Sequence, residues 1–382
     1  MKKFSVVLLV ALVAVAAAFA GGSNESAASE VKIGFIGPLT GDYANYGVRC
    51  YQAVQLAVNE ANAAGGINGK QITLIAEDSE GASDKALAGF EKLVNNDKVC
   101  AIVGAVLTGE TLAVAEKAQE EGVLLISPSA SADGVTDIGD FIFRTTPNDG
   151  LQGKVAGYYF AQVLGVKNLG VLYAKNDYSQ GLYEGMKEAF EAAGGKIALA
   201  ETCMVGDKDF KTQLTKLRNA NVDAVYIPNY TVEMAQQLEQ AAQLGMSMQF
   251  LSGDGFTDAQ IYSLAGDYTN GVIYTGPTPG KENAAFVSNF KKAFDVDPGT
   301  FSTNAYDAAN IVIAAIAKAG TDRTAIRNAV AATKDYEGVL GTINFESNGD
   351  LVATTGVYLV VNQAPVFQGN YTVVDGVLSE VK

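Results

Sequence analysis

The chain has 382 residues, with 27 Lys+Arg against 42 Asp+Glu for a formal net charge of −15, and it is 48% hydrophobic and 18% charged. That length exceeds one ordinary core and fits two domains, and the composition is globular rather than disordered. The acidic balance disfavours nucleic acid and anionic membrane surfaces as partners. Zero His and three Cys leave little for a transition-metal site or a His-based proton relay.

The first segment reads as a secretory signal. Lys2 and Lys3 form a charged n-region, Ser5 to Ala18 is nearly all apolar and small, and Ala18-Phe19-Ala20 supplies an A-x-A cleavage site. The apolar run is short for a membrane span. Residues 21–30, GGSNESAASE, look like a tether, and no lipobox cysteine precedes Cys50. The expected location is periplasmic or otherwise extracytoplasmic, where disulfides form. With three cysteines, at least one of Cys50, Cys100 and Cys203 stays unpaired in a single chain.

Beyond the tether, short apolar strands alternate with amphipathic helices. VKIGFIGPL (31–39) leads to a helix from about Gly47 to Ala64 that ends at Gly65-Gly66. QITLIAEDS (71–79), VCAIVGAV (99–106) and VLLISPS (123–129) follow as strands, separated by helices over about 83–95 and 109–121. Strands apolar on both faces and separated by helices predict a parallel sheet covered on both sides. A short strand and Pro147 then break the rhythm. It restarts with helix 149–164, LGVLYA (169–174), helix 179–193, KIALAETC (196–203), helix 209–219, VDAVYIPN (222–229), helix 231–244, QFLSGDG (249–255) and GVIYTGP (271–277). The chain thus holds two successive doubly wound α/β units. The last third carries helices near 282–294, 302–319 and 323–332, then GTINF and two β-rich runs.

Ligands of open α/β sheets sit beyond the carboxyl ends of the strands. The first such loop, GPLTGDYANYG (37–47), has neither GxGxxG spacing nor the GK[ST] of a phosphate loop, and offers Thr40, Asp42, Tyr43 and Tyr46 instead. Thr108 and Ser131 follow later strands of the first unit and suit a ligand anion such as a carboxylate. In the second unit Asp254 stands between glycines, with Tyr178 and Tyr230 at neighbouring strand ends, a set suited to an ammonium. Taken singly, Thr108 and Ser131 also read as helix N-caps, Asp254 as a turn residue, and the tyrosines as half-buried aromatics. Together they describe a zwitterion held between two domains. Without His there is no Ser–His or Cys–His pair. The adjacent acids Glu77-Asp78 read as strand-end residues rather than a glycosidase pair, so no enzyme is expected.

Seven stretches in this order resemble the periplasmic leucine/isoleucine/valine-binding protein family, amino-acid-binding components of ABC importers. They are IGPLTGDYANYG (36–47), NEANAAGGINGK (59–70), GVLLISPSAS (122–131), FRTTPNDGLQG (143–153), NDYSQGLYEGMKEAFEAAG (176–194), KDFKTQLTKLRNANVDAVY (208–226) and FLSGDGFT (250–257). The similarity covers about Val31 to Leu359. It implies two Rossmann-like lobes joined by three hinge segments and closing like a flytrap, with 31–147 plus 279–355 in one lobe and 148–278 plus 356–382 in the other.

On that template Thr108 and Ser131 bind the ligand carboxylate with backbone near Ser129 and Ala130, and Asp254 takes the α-ammonium. Tyr178 and Tyr230 line the second lobe, Tyr46 borders the side-chain pocket, and Asp149 lies near the hinge. The resemblance implies no cofactor and no metal, a monomer as the working form, and an ABC permease as partner. An amide, urea, short peptide or aromatic acid is the alternative ligand on the same fold. Three departures from the family stand out. Asp254 replaces a Glu, Glu80 and Leu107 stand at the positions of the family's cysteine pair, and residues 363–382 form an additional β-rich tail.

Overall fold

The computed structural model describes residues 30–279 and 283–381. The signal (1–20) and the tether up to residue 29 lie outside the described residues. The first sheet contains β1 (Val31–Gly37), β2 (Ile72–Asp78), β3 (Ala101–Gly104), β4 (Leu124–Ser127) and β5 (Ile142–Arg144) in the order β2-β1-β3-β4-β5. All its pairings are parallel. β3 and β4 are wholly buried, as strands covered on both faces must be. On one face the helices Ala44–Ala63 and Ser302–Ala319 pack with Phe286, Phe290 and Ile326. On the other, Phe90, Val114 and Ala118 of the helices Ser83–Glu91 and Thr108–Glu121 cover Ile102 and Leu125.

The second sheet contains β6 (Asn168–Ala174), β7 (Lys196–Cys203), β8 (Ala224–Tyr226), β9 (Gln249–Ser252) and β10 (Ile273–Pro277), joined parallel in the order β7-β6-β8-β9-β10. Two short strands, β11 (Tyr336–Glu337) and β12 (Thr342–Ile343), form a separate antiparallel pair packed on the first-lobe core. Three antiparallel strands, β13 (Thr355–Val361), β14 (Ala364–Val374) and β15 (Val377–Val381), then continue the second sheet beyond β10. The β-rich tail is therefore the edge of the second sheet.

The chain passes from one unit to the other three times, after β5, after β10 and before β13. Ile343 and Leu351 still belong to the first core, whereas Val357 and Val360 belong to the second unit. A buried ion pair fastens two of these passages. The Arg144 guanidinium lies 2.6 Å from Asp350, which also accepts hydrogen bonds from Thr136 and from Asn148.

Strand order reverses between β1 and β3 in the first sheet and between β6 and β8 in the second. The loops leaving those four strands are where a ligand crevice is expected. One boundary differs from the sequence reading in a way that matters here. The first helix begins at Ala44, three residues early, because the Ala44 amide bonds the Gly41 carbonyl and the Tyr46 amide bonds that of Tyr43. Tyr46 is thus a helical residue, and Tyr43 is the N-cap.

Candidate functional site

The two switch points face one another and enclose a single cavity. Tyr46, Val106, Leu107, Thr108 and Ser129 line it from the first lobe, and Tyr178, Tyr230, Asp254 and Gly255 from the second; Phe301 completes the wall. It is narrow, leaving about 20 Å³ for the centre of a water-sized sphere. Six of the nine residues expected from the sequence or the resemblance therefore converge on one space.

On the second-lobe side, Asp254 opens a short 3-10 turn, Asp254–Thr257, just after β9 and is 2% exposed. The Tyr178 hydroxyl donates to Asp254 Oδ1 at 2.6 Å and accepts from the Gly255 amide at 2.8 Å. Gln152 Nε2 donates to the same carboxylate oxygen at 3.2 Å. Burial raises the Asp254 carboxyl above its ordinary range, and the Tyr178 and Gln152 donors only partly offset this. A methyl at Gly255 would collide with the Asn229 carbonyl oxygen, so the turn is built for glycine. Tyr178 and Tyr230 stack with centroids 5.0 Å apart, and burial raises both hydroxyls well above their usual range.

On the first-lobe side, hydroxyls at the end of β4 and in the loop after it hold the loop after β3. Ser127 Oγ donates to the Ala105 carbonyl at 2.6 Å and Ser129 Oγ to that of Val106 at 2.5 Å, while the Ala130 amide bonds back to Ser127 Oγ. The Ser131 amide donates to Thr108 Oγ1 at 3.3 Å. Thr108 is the first residue of its helix, whose N-cap is Leu107. No helix starts at Ser131, so neither is an N-cap. The Ser131 hydroxyl is buried and near enough to the Asp149 carboxyl to lower its pKa, without meeting full hydrogen-bond geometry with any described residue.

Ala130, Ser131 and Asp149 do not line the cavity; they form a layer behind it. The Asp149 amide donates to the Ser131 carbonyl at 2.7 Å, and the Arg144 guanidinium reaches the Ala130 carbonyl. Asp149 is fully buried, and neither carboxylate oxygen meets hydrogen-bond geometry with a described residue. Burial, then the charge of Asp254, pushes its carboxyl well above the usual range. Two buried acids thus sit together, and the nearest guanidinium, that of Arg144, is bound to Asp350. Such an arrangement favours an added positive charge, whether a proton or a bound cation.

Other site residues escaped the sequence reading. Phe301 projects from a left-handed backbone (φ 50°) just before the helix Ser302–Ala319, a position with no pattern to flag it. Asp78, at the end of β2, holds the first loop, accepting from the Leu39 amide and from Thr40 Oγ1 at 2.6 Å. This is where Thr40 is used. The three cysteines are all free and buried. Among the described residues no cluster of His, Cys, Asp and Glu fits a metal, and no helix is long and apolar enough to cross a membrane.

The chain is similar to the leucine-, isoleucine-, valine-, threonine- and alanine-binding protein of Pseudomonas aeruginosa, 35% identical over 88% of this chain and 91% of that one. It is 30% identical to Leu/Ile/Val-binding protein homolog 3 of Brucella melitensis over 86% of this chain and 91% of that one. Among solved structures, it matches the branched-chain amino acid transporter substrate-binding protein LivJ of Streptococcus pneumoniae, in complex with isoleucine, with TM-score 0.83 and 31% identity. That match covers 89% of this chain and 100% of LivJ. LivK, a leucine-binding protein of Thermotoga maritima, matches with TM-score 0.83 and 28% identity over 89% and 98% of the two chains. The periplasmic binding protein model matches residues 30–364. With the two-lobed fold and the crevice between its switch points, these matches show that the chain belongs to the periplasmic binding protein family, whose members are substrate-binding components of transporters and not enzymes.

Proposed function

We propose that this protein captures a small aliphatic L-amino acid, leucine, isoleucine or valine, outside the cytoplasm and delivers it as a monomer to an ABC permease. The observation that carries this reading is Asp254, a carboxylate 2% exposed that faces the cavity with only neutral donors around it. An α-ammonium is the partner it lacks. Thr108 and Ser129 at the cavity wall receive the ligand carboxylate, with Ala130 and Ser131 supporting them from the layer behind; Tyr178 and Tyr230 flank the ammonium, and Asp149 adds negative field behind it. Tyr46, Leu107 and Phe301 wrap the aliphatic end. The named ligands of the relatives above support the same class.

The cavity holds about one water as the lobes stand, so a ligand enters when they part and is enclosed as they close around it, less tightly than they stand here. The bodies that move are 31–147 plus 279–355 and 148–278 plus 356–382. Titration calorimetry against the twenty amino acids, urea, short amides and benzoate tests the reading. Binding of branched-chain amino acids is expected, and silence from every α-amino acid would overturn it. Benzoate belongs in the panel because a fold relative from R. palustris, 23% identical, was solved with it. Asp254→Ala separates the classes: an ammonium-bearing ligand loses about 1.5–3 kcal/mol or more, whereas a ligand without one is little affected.

A further inference from the structure

The loop after β1 and the first turn of the helix that follows reach across to the opposite lobe at points the cavity does not include. The Tyr43 hydroxyl donates to Glu233 Oε1 at 2.8 Å. Asn45 Nδ2 lies 2.6 and 2.5 Å from the two oxygens of Asp258. None of these four residues lines the ligand cavity. Tyr46, next after Asn45 in sequence, both lines it and bonds Thr231 and Gly255 across the cleft, so it has a mixed role.

Each acceptor is set in place by its own lobe. Glu233 Oε1 also takes the Gly206 amide at 2.9 Å, and Asp258 Oδ1 takes the Gln260 amide at 2.9 Å. Both acids are buried. On the donor side, Tyr43 is the helix N-cap and its ring lies over Gly81, where a methyl would come within 2.9 Å of the ring. Groups already oriented before they meet lose little freedom on meeting, so more of the bond energy goes to holding the lobes together. The Tyr43 ring also packs on Tyr230, 5.0 Å between centroids, coupling this contact to the cavity wall.

We propose that Tyr43 and Asn45 are positioning residues that form an interlobe latch with Glu233 and Asp258, setting affinity through the closing equilibrium without choosing the ligand. A contact made only in the closed form raises the affinity of every ligand by one common factor. The proposal rests on the amino-acid reading for its ligand arm only.

The test uses the full mature chain with Tyr43→Phe, Asn45→Asp, Asp258→Asn, and the double variant combining the last two. In the ligand arm, dissociation constants for leucine, isoleucine and valine are measured by calorimetry. Tyr43→Phe and Asn45→Asp are expected to weaken all three by the same factor, on the order of ten-fold, with faster release and unchanged ratios among ligands. Asn45→Asp with Asp258→Asn reverses the donor and acceptor and is expected to restore binding, which also excludes misfolding as the cause. In the ligand-free arm, spin labels at the exposed positions 117 and 211, one on each lobe, report the distance by electron resonance. The single latch variants shift it to longer values, and the double variant returns it. Altered ratios among ligands, no rescue, or a distance distribution identical to wild type would each overturn the latch. If no amino acid binds at all, the functional reading fails and the distance arm still decides the latch.

Discussion

Among single residues, the buried acids set the response to pH. Glu110 is 1% exposed and accepts from Ser79 Oγ and the Leu107 amide, yet burial still pushes its carboxyl up to about 7 from 4.5. A folded-state value above the unfolded one means that folding takes up a proton. The associated stability is full below pH 4.5 and is lost as pH rises to about 7, a change on the order of 3 kcal/mol. Denaturant melts of wild type and Glu110→Gln across this window check it; the difference between the two should slope only there. Asp254 and Asp149 carry the same sign of shift. An ammonium ligand favours their ionised forms, so its affinity should fall as pH drops, with protons released on binding. Calorimetry in buffers of different ionisation enthalpy measures that release, and Asp254→Asn should diminish it.

At the level of elements, the contact between the first loop and the first helix governs the site. A methyl at Gly47 would collide with the Pro38 carbonyl oxygen, so the helix start and the loop are packed backbone to backbone. Gly47→Ala should cost about 1–3 kcal/mol of stability by chemical denaturation and displace Tyr43 and Tyr46 from their partners. Much of this region was legible in the sequence. Alternating apolar strands and helices gave the two units, and the strand-end rule brought Thr108, Tyr178, Tyr230 and Asp254 to one cleft. Individual contacts were not legible, because they join residues far apart in the chain. Asn45 meets Asp258 across 213 positions, and Phe301 enters through a backbone conformation that no periodicity predicts. Ser131 looked like a helix cap because a polar run follows a strand, yet the chain there stays irregular until the 3-10 turn Thr136–Ile138.

Across the whole molecule, the passages between lobes depend on Arg144 and Asp350, 1% and 8% exposed. Burial alone would raise the Asp350 carboxyl; Arg144, Thr136 and Asn148 outweigh it and hold it below its usual range. Its contribution is present above the unfolded value and is lost as pH falls through the lower folded one. Asp350→Asn leaves a guanidinium buried without its counter-charge and should destabilise the protein by about 3–5 kcal/mol in equilibrium unfolding. Set against the family pattern, residues 363–382 read as an additional β-rich tail. The tail strands β14 and β15 extend from β13, which itself pairs with β10 some eighty residues earlier, a pairing that only the assembled sheet reveals.

The threefold passage has a consequence for how such a chain becomes a protein. The core around β1 includes Val31 and Ile343, residues more than 300 positions apart. A chain emerging from its N-terminus therefore exposes every parallel strand of both sheets before the material that closes the first lobe is available. The first lobe finishes late, and long-range closure of this kind is slow. Cutting after residue 279 should leave β1 to β5 without Phe286, Phe290 and the helix Ser302–Ala319, an unfinished half with its apolar face open to any chaperone that passes.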